Sequence, residues 1–451
     1  MQISTVFHKS IKGASHIASE KPCQDYSDAF QDDNVNIVVV CDGHGGATYC
    51  RSDVGAKIAA EVTVQILQDF ARTIPSSTFT GKSFSITAQP QRNPFIDADG
   101  KKLRFEELSD DQKKLAKQAQ SFLDAEEKYP QEQAVIKDLL SQIYKSWLSL
   151  IKQDARNNPF SRKEEKALAG HGIEKAYGCT LLAFLQTKDF YLSFHIGDGK
   201  ITCCDQSLNW QNPVPEDCAC FLNYTTSLCD NNPLIEFRYA FNGIDEFPLA
   251  VMLCSDGLDG SLRTDENIQD FYEQIIGLFI DGDEVESELE SYLPSLSESG
   301  NKDDISIAGI VNLSNTSKHV LRKKMELKKR NREIRNLYRT KKAEIDNIGS
   351  RLEVLEMKYE RTKDNRFEKQ TELDEMRQNI KGREREVSEL DKSVETLRRE
   401  IDSLKADLKE KKADLENWKF TIKNEMAELE SLEIESECPS EDKGIIDYIN
   451  W

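Results

Sequence analysis

Residues 345–432 keep one heptad register, and that register constrains the fold of this chain more than any other feature. With Leu373 at position a, the a series continues through Ile380, Val387, Val394, Ile401, Leu408, Leu415, Ile422 and Leu429. The d series is Met376, Leu390, Leu397, Leu404, Trp418 and Leu432, broken by Arg383, Lys411 and Glu425. The frame extends back through Ile345, Ile348, Leu352, Leu355 and Tyr359, and between Val320 and Leu432 there is no proline and glycine only at 349 and 382. A stripe of this period is buried only against another helix, so a coiled coil is predicted. One continuous rod would be over roughly 100 Å long at 1.5 Å per residue. β-Branched residues at a with Leu at d favour two parallel strands. The g-to-e pairs Glu400–Lys405, Asp407–Lys412 and Asp414–Lys419 are of opposite sign, whereas a homotypic antiparallel pairing centred there sets like against like. The expectation is a parallel homodimer through residues 345–432, with a hairpin folding back near Gly382 as the alternative. The rod is placed at 313–433 and a short tail at 434–451.

Upstream, residues 1–312 read as a folded domain of a different kind. Short apolar runs at 37–41, 180–185, 191–195, 249–254 and 305–311 predict buried strands. Residues 53–70 carry Val54, Ile58, Val62, Ile66 and Phe70 on one helical stripe, and 134–151 carry Leu139, Ile143, Trp147 and Leu150. A polar stretch at about 73–130 reads as an insertion. Within it, "DADGKK" at 97–102 is an ordinary turn, since it lacks the third acidic position and closing Glu of a calcium loop.

A net charge of −20 argues against general nucleic-acid binding and against an anionic membrane surface. No apolar run of about 18 residues predicts a membrane span, and "MQISTVFHKSIKGASH" lacks the layout of a signal peptide. Among eleven cysteines, Cys41, Cys179 and Cys254 sit inside apolar runs as reduced thiols would, so a cytoplasmic chain is expected. Cys203-Cys204 and Cys218-Ala-Cys220 lack the gap of paired zinc ligands.

Four acidic sites share a context, the edge of a predicted strand: Asp25 in "PCQDYS", Asp42 in "VVVCDGHGG", Asp256 in "LCSDGLDG", and Asp303 with Asp304 before "ISIAGIV". Strand ends aim short side chains at a common point. Glycine after Asp42 and Asp256 lets the backbone approach closely enough for a carbonyl to serve as a ligand. Hard oxygen donors without His or Cys pairs select Mg2+ or Mn2+ over zinc, and gathered carboxylates need a cation or protons to be stable.

In order, "DGHGG" after a strand, "YGCTLLAFL", "HIGDGKI", "LCSDGLDG" and "KDDISIAGIV" resemble the metal-dependent PPM (PP2C-type) Ser/Thr protein phosphatases over about residues 1–312, in their bacterial form. The resemblance implies an α+β fold, a four-layer α-β-β-α sandwich with two Mn2+ or Mg2+ ions at one end, acting on phosphoproteins. It implies that Asp42 bridges both ions, that the Gly43 carbonyl and Asp25 serve the second, and that Asp256 and Asp303 complete the first. Catalysis would pass through Asp42 and His44: a bridging hydroxide attacks phosphorus in line, and His44 protonates the leaving oxygen. Asp198 in "GDGK" matches a residue that supports the ligands. A cysteine-dependent phosphatase is excluded, because no cysteine has Arg six positions on. Departures are Glu20 where the family has a phosphate-gripping Arg (Lys21 or His16 being substitutes), Gln24 in place of an acid, and Asp304 in place of Asn. Asp217 stands near the spacing of a third-metal aspartate without its motif. The alternative to an enzyme is a pseudophosphatase scaffold with weakened phosphate binding, acting through its coiled coil.

Overall fold

Runs that are apolar at every position become inner strands, with each face buried against a different layer. The clearest is Val35–Cys41, where Ile37, Val39 and Cys41 face a helical layer while Val38 and Val40 face a second sheet. The computed structural model describes residues 4–86, 106, 109, 113, 128–214, 220, 225–314, 316–375 and 384–434. It divides into two units, Met1–Arg322 and Lys323–Trp451.

The first unit holds two antiparallel sheets. One contains β1 (Ser4–Ile11), β7 (Lys200–Cys204), β8 (Trp210–Gln211), β10 (Ala250–Cys254) and β11 (Ile305–Asn312), in the order β1-β11-β10-β7-β8. The other contains β2 (Tyr26–Gln31), β3 (Val35–Cys41), β4 (Ser83–Ile86), β5 (Leu181–Thr187), β6 (Tyr191–Ile196) and β9 (Arg238–Asn242), in the order β2-β3-β5-β6-β9-β4. The sheets pack face to face through Val38, Val40, Leu182 and Phe184 from one side and Ile201, Val251, Leu253 and Ile310 from the other.

Helices close both outer faces. After the short α1 (Ala14–Ala18), α2 (Ser52–Thr73) and α3 (Pro130–Asn157) cover the six-stranded sheet. Trp147 of α3 is fully buried, and its indole N–H donates to the Gly55 carbonyl at 3.1 Å. The small helices α4 (Arg162–Leu168) and α5 (Ile173–Ala176) follow, and α6 (Asp256–Leu262) leaves the end of β10. On the five-stranded sheet lie α7 (Asp265–Asp281) and α8 (Val285–Ser299). Phe279 meets Phe7 of β1 at 5.6 Å between ring centroids, and Tyr272 meets Trp210 at 5.3 Å. The result is a four-layer α-β-β-α sandwich.

Residues 83–86, assigned by composition to the polar insertion, instead form the edge strand β4, because Phe84 packs edge-on against Phe241 and Tyr239. The "DADGKK" turn, Asp217, Cys218 and the tail beyond 434 lie outside the described residues. The described cysteines are free thiols. No helix among the described residues is long and apolar enough to cross a membrane.

The second unit is built from α9 (Lys318–Glu375), whose first turn belongs to the first unit, and α10 (Glu384–Ile434). Along α10 the residues with reduced exposure are the heptad positions and Lys419, with Leu397, Ile401 and Leu404 buried. Their covering is α9. Arg366 pairs with Asp391 at 2.8 Å, Glu356 with Lys405 at 3.4 Å, Glu344 with Lys411 at 3.2 Å, and Arg330 with Glu425. Numbers rise on one helix as they fall on the other, so the pairing is antiparallel and within one chain. The expected parallel homodimer through residues 345–432 finds no support in this pairing. The α10 seam is filled in cis, since a partner only residues 376–383 away costs little loop-closure entropy. The hairpin alternative describes it.

Candidate active site

Antiparallel register brings the acids together in pairs. Tyr26 faces Cys41 across β2 and β3, so Asp25 before one strand neighbours Asp42 after the other. Cys254 faces Ile307 across β10 and β11, which sets Asp256 beside Asp303 and Asp304. Both pairs open onto one cleft of about 410 Å3, which Gly43, His44, Asp198 and His16 also line. None of its lining residues among those described is Lys or Arg. Glu20 and Lys21 are exposed and do not line it.

The Asp42–His44 segment is fixed by its backbone. Asp42 N–H donates to Thr180 Oγ1 at 3.0 Å, and its carbonyl accepts from Thr180 N–H at 2.8 Å. Gly43 N–H donates to the Gln24 carbonyl at 3.1 Å, and a Cβ at Gly43 would stand 2.5 Å from that same oxygen. The Gly43 carbonyl accepts no hydrogen bond among the described residues, which leaves it free to face a cation. His44 N–H donates to Gly178, and the His44 carbonyl accepts from Gln24 Nε2 and Ser52 Oγ.

On the other sheet, Ser255 and Ser306 exchange bonds of 3.0 Å at the ends of β10 and β11. A Cβ at Gly257 would come within 1.8 Å of the Asp304 carbonyl, so glycine is what lets α6 start here with Asp256 in its first turn. Asp304 itself is consumed: Oδ1 accepts Gly13 N–H at 2.6 Å, and Oδ2 accepts Gln24 N–H at 2.6 Å and lies 2.8 Å from His16 Nδ1. Asp303 keeps Oδ2 without a hydrogen bond among the described residues, Oδ1 being taken by Asp304 N–H.

The electrostatics follow from gathering these acids. Burial pushes Asp25 well above the carboxylate range, with the Ser255 hydroxyl opposing and Asp304, Asp256 and Asp303 adding to it. Burial does the same to Asp42, reinforced by Asp25 and Asp256. Asp256 rises to about 6, chiefly by burial, while the hydrogen bond it accepts from Asp42 works the other way. His44 is pulled down to about 4 by burial and then by the Lys175 charge, so its ring is neutral at neutral pH in the free chain.

No group of three or more His, Cys, Asp or Glu side chains among the described residues is drawn together tightly enough to hold a metal by itself. The donor set nevertheless fits a hard divalent cation. Asp25 Oδ2 and Gln24 Oε1 are buried acceptors with no hydrogen bond, an arrangement that costs free energy unless a cation answers it. Sequence reasoning missed the Asp304–His16 pair, the Thr180 anchor and the Ser255–Ser306 exchange. The repeated Thr and Ser at strand ends were the available signal.

The family model described as protein phosphatase 2C matches residues 12–294. Among the solved structures that resemble the chain are the following three. PppA, a key regulatory component of T6SS in Pseudomonas aeruginosa, is 13% identical, covering 68% of this chain and 97% of its own, with a TM-score of 0.38. The catalytic domain of the serine/threonine phosphatase PstP in complex with two manganese ions is 13% identical, covering 69% and 99%, with a TM-score of 0.38. The serine/threonine phosphatase of S. agalactiae is 15% identical, covering 68% and 99%, with a TM-score of 0.35. No curated protein matches in sequence.

Proposed function

The chain belongs to the protein phosphatase 2C family of metal-dependent protein serine/threonine phosphatases, and from that premise we propose that its cleft holds two divalent cations, Mn2+ or Mg2+, for the hydrolysis of phosphoserine and phosphothreonine. Asp42 would contact both ions, the Gly43 carbonyl and Asp25 the second, and Asp256 and Asp303 the first. Such a pair of ions supplies a water of lowered pKa and neutralises phosphate oxygens. The chain's residues do the positioning. Thr180 and Gln24 hold the Asp42–His44 backbone, and the paired strand ends fix the other two acids. His44 would give its proton to the departing serine or threonine oxygen. Its ring takes up that proton when a phosphate dianion offsets the cost of burial.

One observation carries this reading: carboxyls from four separate strand ends open onto one cleft with two unanswered buried oxygens and, among the described residues, no lysine or arginine in its lining. The test is hydrolysis of p-nitrophenyl phosphate and of a phosphoserine peptide by the full chain with Mn2+. Chelation with EDTA should abolish turnover, and Asp42→Asn should lower kcat at least ~100-fold. Turnover without metal, or full activity in Asp42→Asn, would overturn it. Gln24 in place of an acid, with its amide spent on His44 and Ser52, favours the second reading, a scaffold. Metal binding without turnover is its signature.

A further inference from the structure

The His44 ring rests on its neighbours' backbone and rings. Tyr49 meets it edge-on at 4.9 Å between centroids. Gly178 also lies against it: a Cβ there would stand 3.0 Å from His44 Cδ2, 2.8 Å from Tyr49 Cδ1 and 2.7 Å from Cys229 Sγ. The Gly178 carbonyl accepts His44 N–H at 3.0 Å. Where residue 178 sits therefore decides where the imidazole points.

Residue 178 is set in turn by what holds Ala176 and Tyr177. The Ala176 carbonyl accepts Arg51 N–H at 2.9 Å. The hydroxyl of the buried Tyr177 donates to Asp154 Oδ2 at 2.6 Å and accepts from Arg51 Nη1 at 3.0 Å. The same guanidinium donates to Glu164 Oε1 at 3.0 Å and to the Asn158 and Pro159 carbonyls at 2.6 and 3.3 Å, and its carbon lies 4.0 Å from the centre of the Phe160 ring. Ser52, next in the chain, donates to the His44 carbonyl at 2.9 Å. Arg51 is the N-cap residue of α2 yet makes no side-chain cap, and a cation at a helix N-terminus is opposed by the helix dipole. Starting the helix does not explain an arginine here. A planar fork of donors that must reach several acceptors at once does.

We propose that Arg51 and Tyr177 are positioning residues for His44: they fix the Ala176–Gly178 backbone on which the imidazole rests, and so aim its proton at the departing serine or threonine oxygen. The use of that proton rests on the phosphatase reading, whereas the placement of the ring does not. Neither Arg51 nor Tyr177 lines the cleft. Their effect on turnover passes through His44.

Two substrates tell this role from a purely structural one. p-Nitrophenolate departs without a proton, whereas a serine alkoxide needs one. Tyr177→Phe keeps the ring and removes both hydroxyl bonds. In the Mn2+-loaded full chain its kcat on a phosphoserine peptide should fall at least ~10-fold, with KM, Mn2+ affinity and p-nitrophenyl phosphate turnover within ~3-fold of wild type. Arg51→Lys, which keeps the charge and loses the fork, should show the same split between substrates. Added to His44→Gln, Tyr177→Phe should change peptide turnover less than ~2-fold, because the ring it aims is gone. Equal losses on both substrates, an unchanged peptide kcat, or full additivity with His44→Gln would each overturn the proposal. The imidazole NMR signal of His44, identified by its loss in His44→Gln, gives a readout free of turnover. It should move by more than its linewidth in Tyr177→Phe, and an unmoved signal counts against the proposal just as heavily. A wild type that hydrolyses neither substrate strikes the phosphatase reading instead, and the His44 signal still decides whether Arg51 and Tyr177 hold the ring.

Discussion

Asp256→Asn should inactivate the protein and, with metal chelated, make it more stable. In the fold Asp256 titrates at about 6 against an ordinary value of 3.8, through burial and the neighbouring acids. Below pH 3.8 the carboxyl is neutral in both folded and unfolded chains, and it costs nothing. As pH rises through 6 the unfolded chain releases the proton first, and the fold loses on the order of 3 kcal/mol. Asparagine removes that loss. Against the gain stands the carboxylate's interaction with the first turn of α6, about 0.3–1 kcal/mol. The net is about 2 kcal/mol in favour of the variant at pH 7.5, falling to nothing near pH 4. His44, lowered to about 4, has the opposite sign and stabilises the fold increasingly between pH 4 and 6.5. It is present in both proteins and cancels in the difference. Thermal melts in EDTA from pH 4 to 8 should show Asp256→Asn roughly 4 °C above wild type at pH 7.5. Adding Mn2+ at 100 times its Kd should reverse the order by stabilising wild type by about 2.7 kcal/mol. A variant less stable than wild type in EDTA at pH 7.5, or a difference that ignores pH, would refute the charge-crowding account of this cleft.

Gly257→Ala places a methyl 1.8 Å from the Asp304 carbonyl; it should cost about 3 kcal/mol or more, read as a fall in the urea midpoint, and abolish turnover by shifting Asp256. Thr180→Val removes the acceptor of Asp42 N–H; stability should drop by about 1–3 kcal/mol and kcat by roughly tenfold, with KM little changed. Carbodiimide coupling should join Glu356 to Lys405 and Glu344 to Lys411 within single chains, detected by mass spectrometry of the monomer band. Cross-links between chains from a mixture of light and heavy protein would contradict the hairpin.

Much of the sandwich is legible because its inner strands are buried on both faces. Ile37–Cys41 or Ile305–Val311 can hardly serve as anything else. The heptad frame is legible for the same reason, and its phase agrees with the burial along α10 at every described position but Lys419. What the heptads cannot convey is the partner. The charges at 391, 405, 411 and 425 are answered by Arg366, Glu356, Glu344 and Arg330, a stretch as charged as any other in the chain. A local pattern therefore supports a second copy and the chain's own preceding helix equally well. The strand β4 was hidden by its short length and by the serines around Phe84. Between the adjacent acids 303 and 304, the sequence cannot say which is spent on structure. That depends on the amides of Gly13 and Gln24, both more than 270 residues earlier.

The division of labour among the acids follows from the sandwich itself. Asp25 and Asp42 leave the six-stranded sheet at one end of a strand pair, and Asp256 and Asp303 leave the five-stranded sheet at the matching end. A cation bound by both pairs would be a clasp between sheets that otherwise meet through apolar side chains. Crowding the acids therefore costs stability in the free chain, a cost that a bound cation would return. Asp304 shows the contrast. It belongs to the same cluster, yet it meets amide donors and an imidazole and needs no cation. Asp304, with two amides and an imidazole as partners, holds the loops, whereas Asp25, Asp42 and Asp256 carry the cost of crowding.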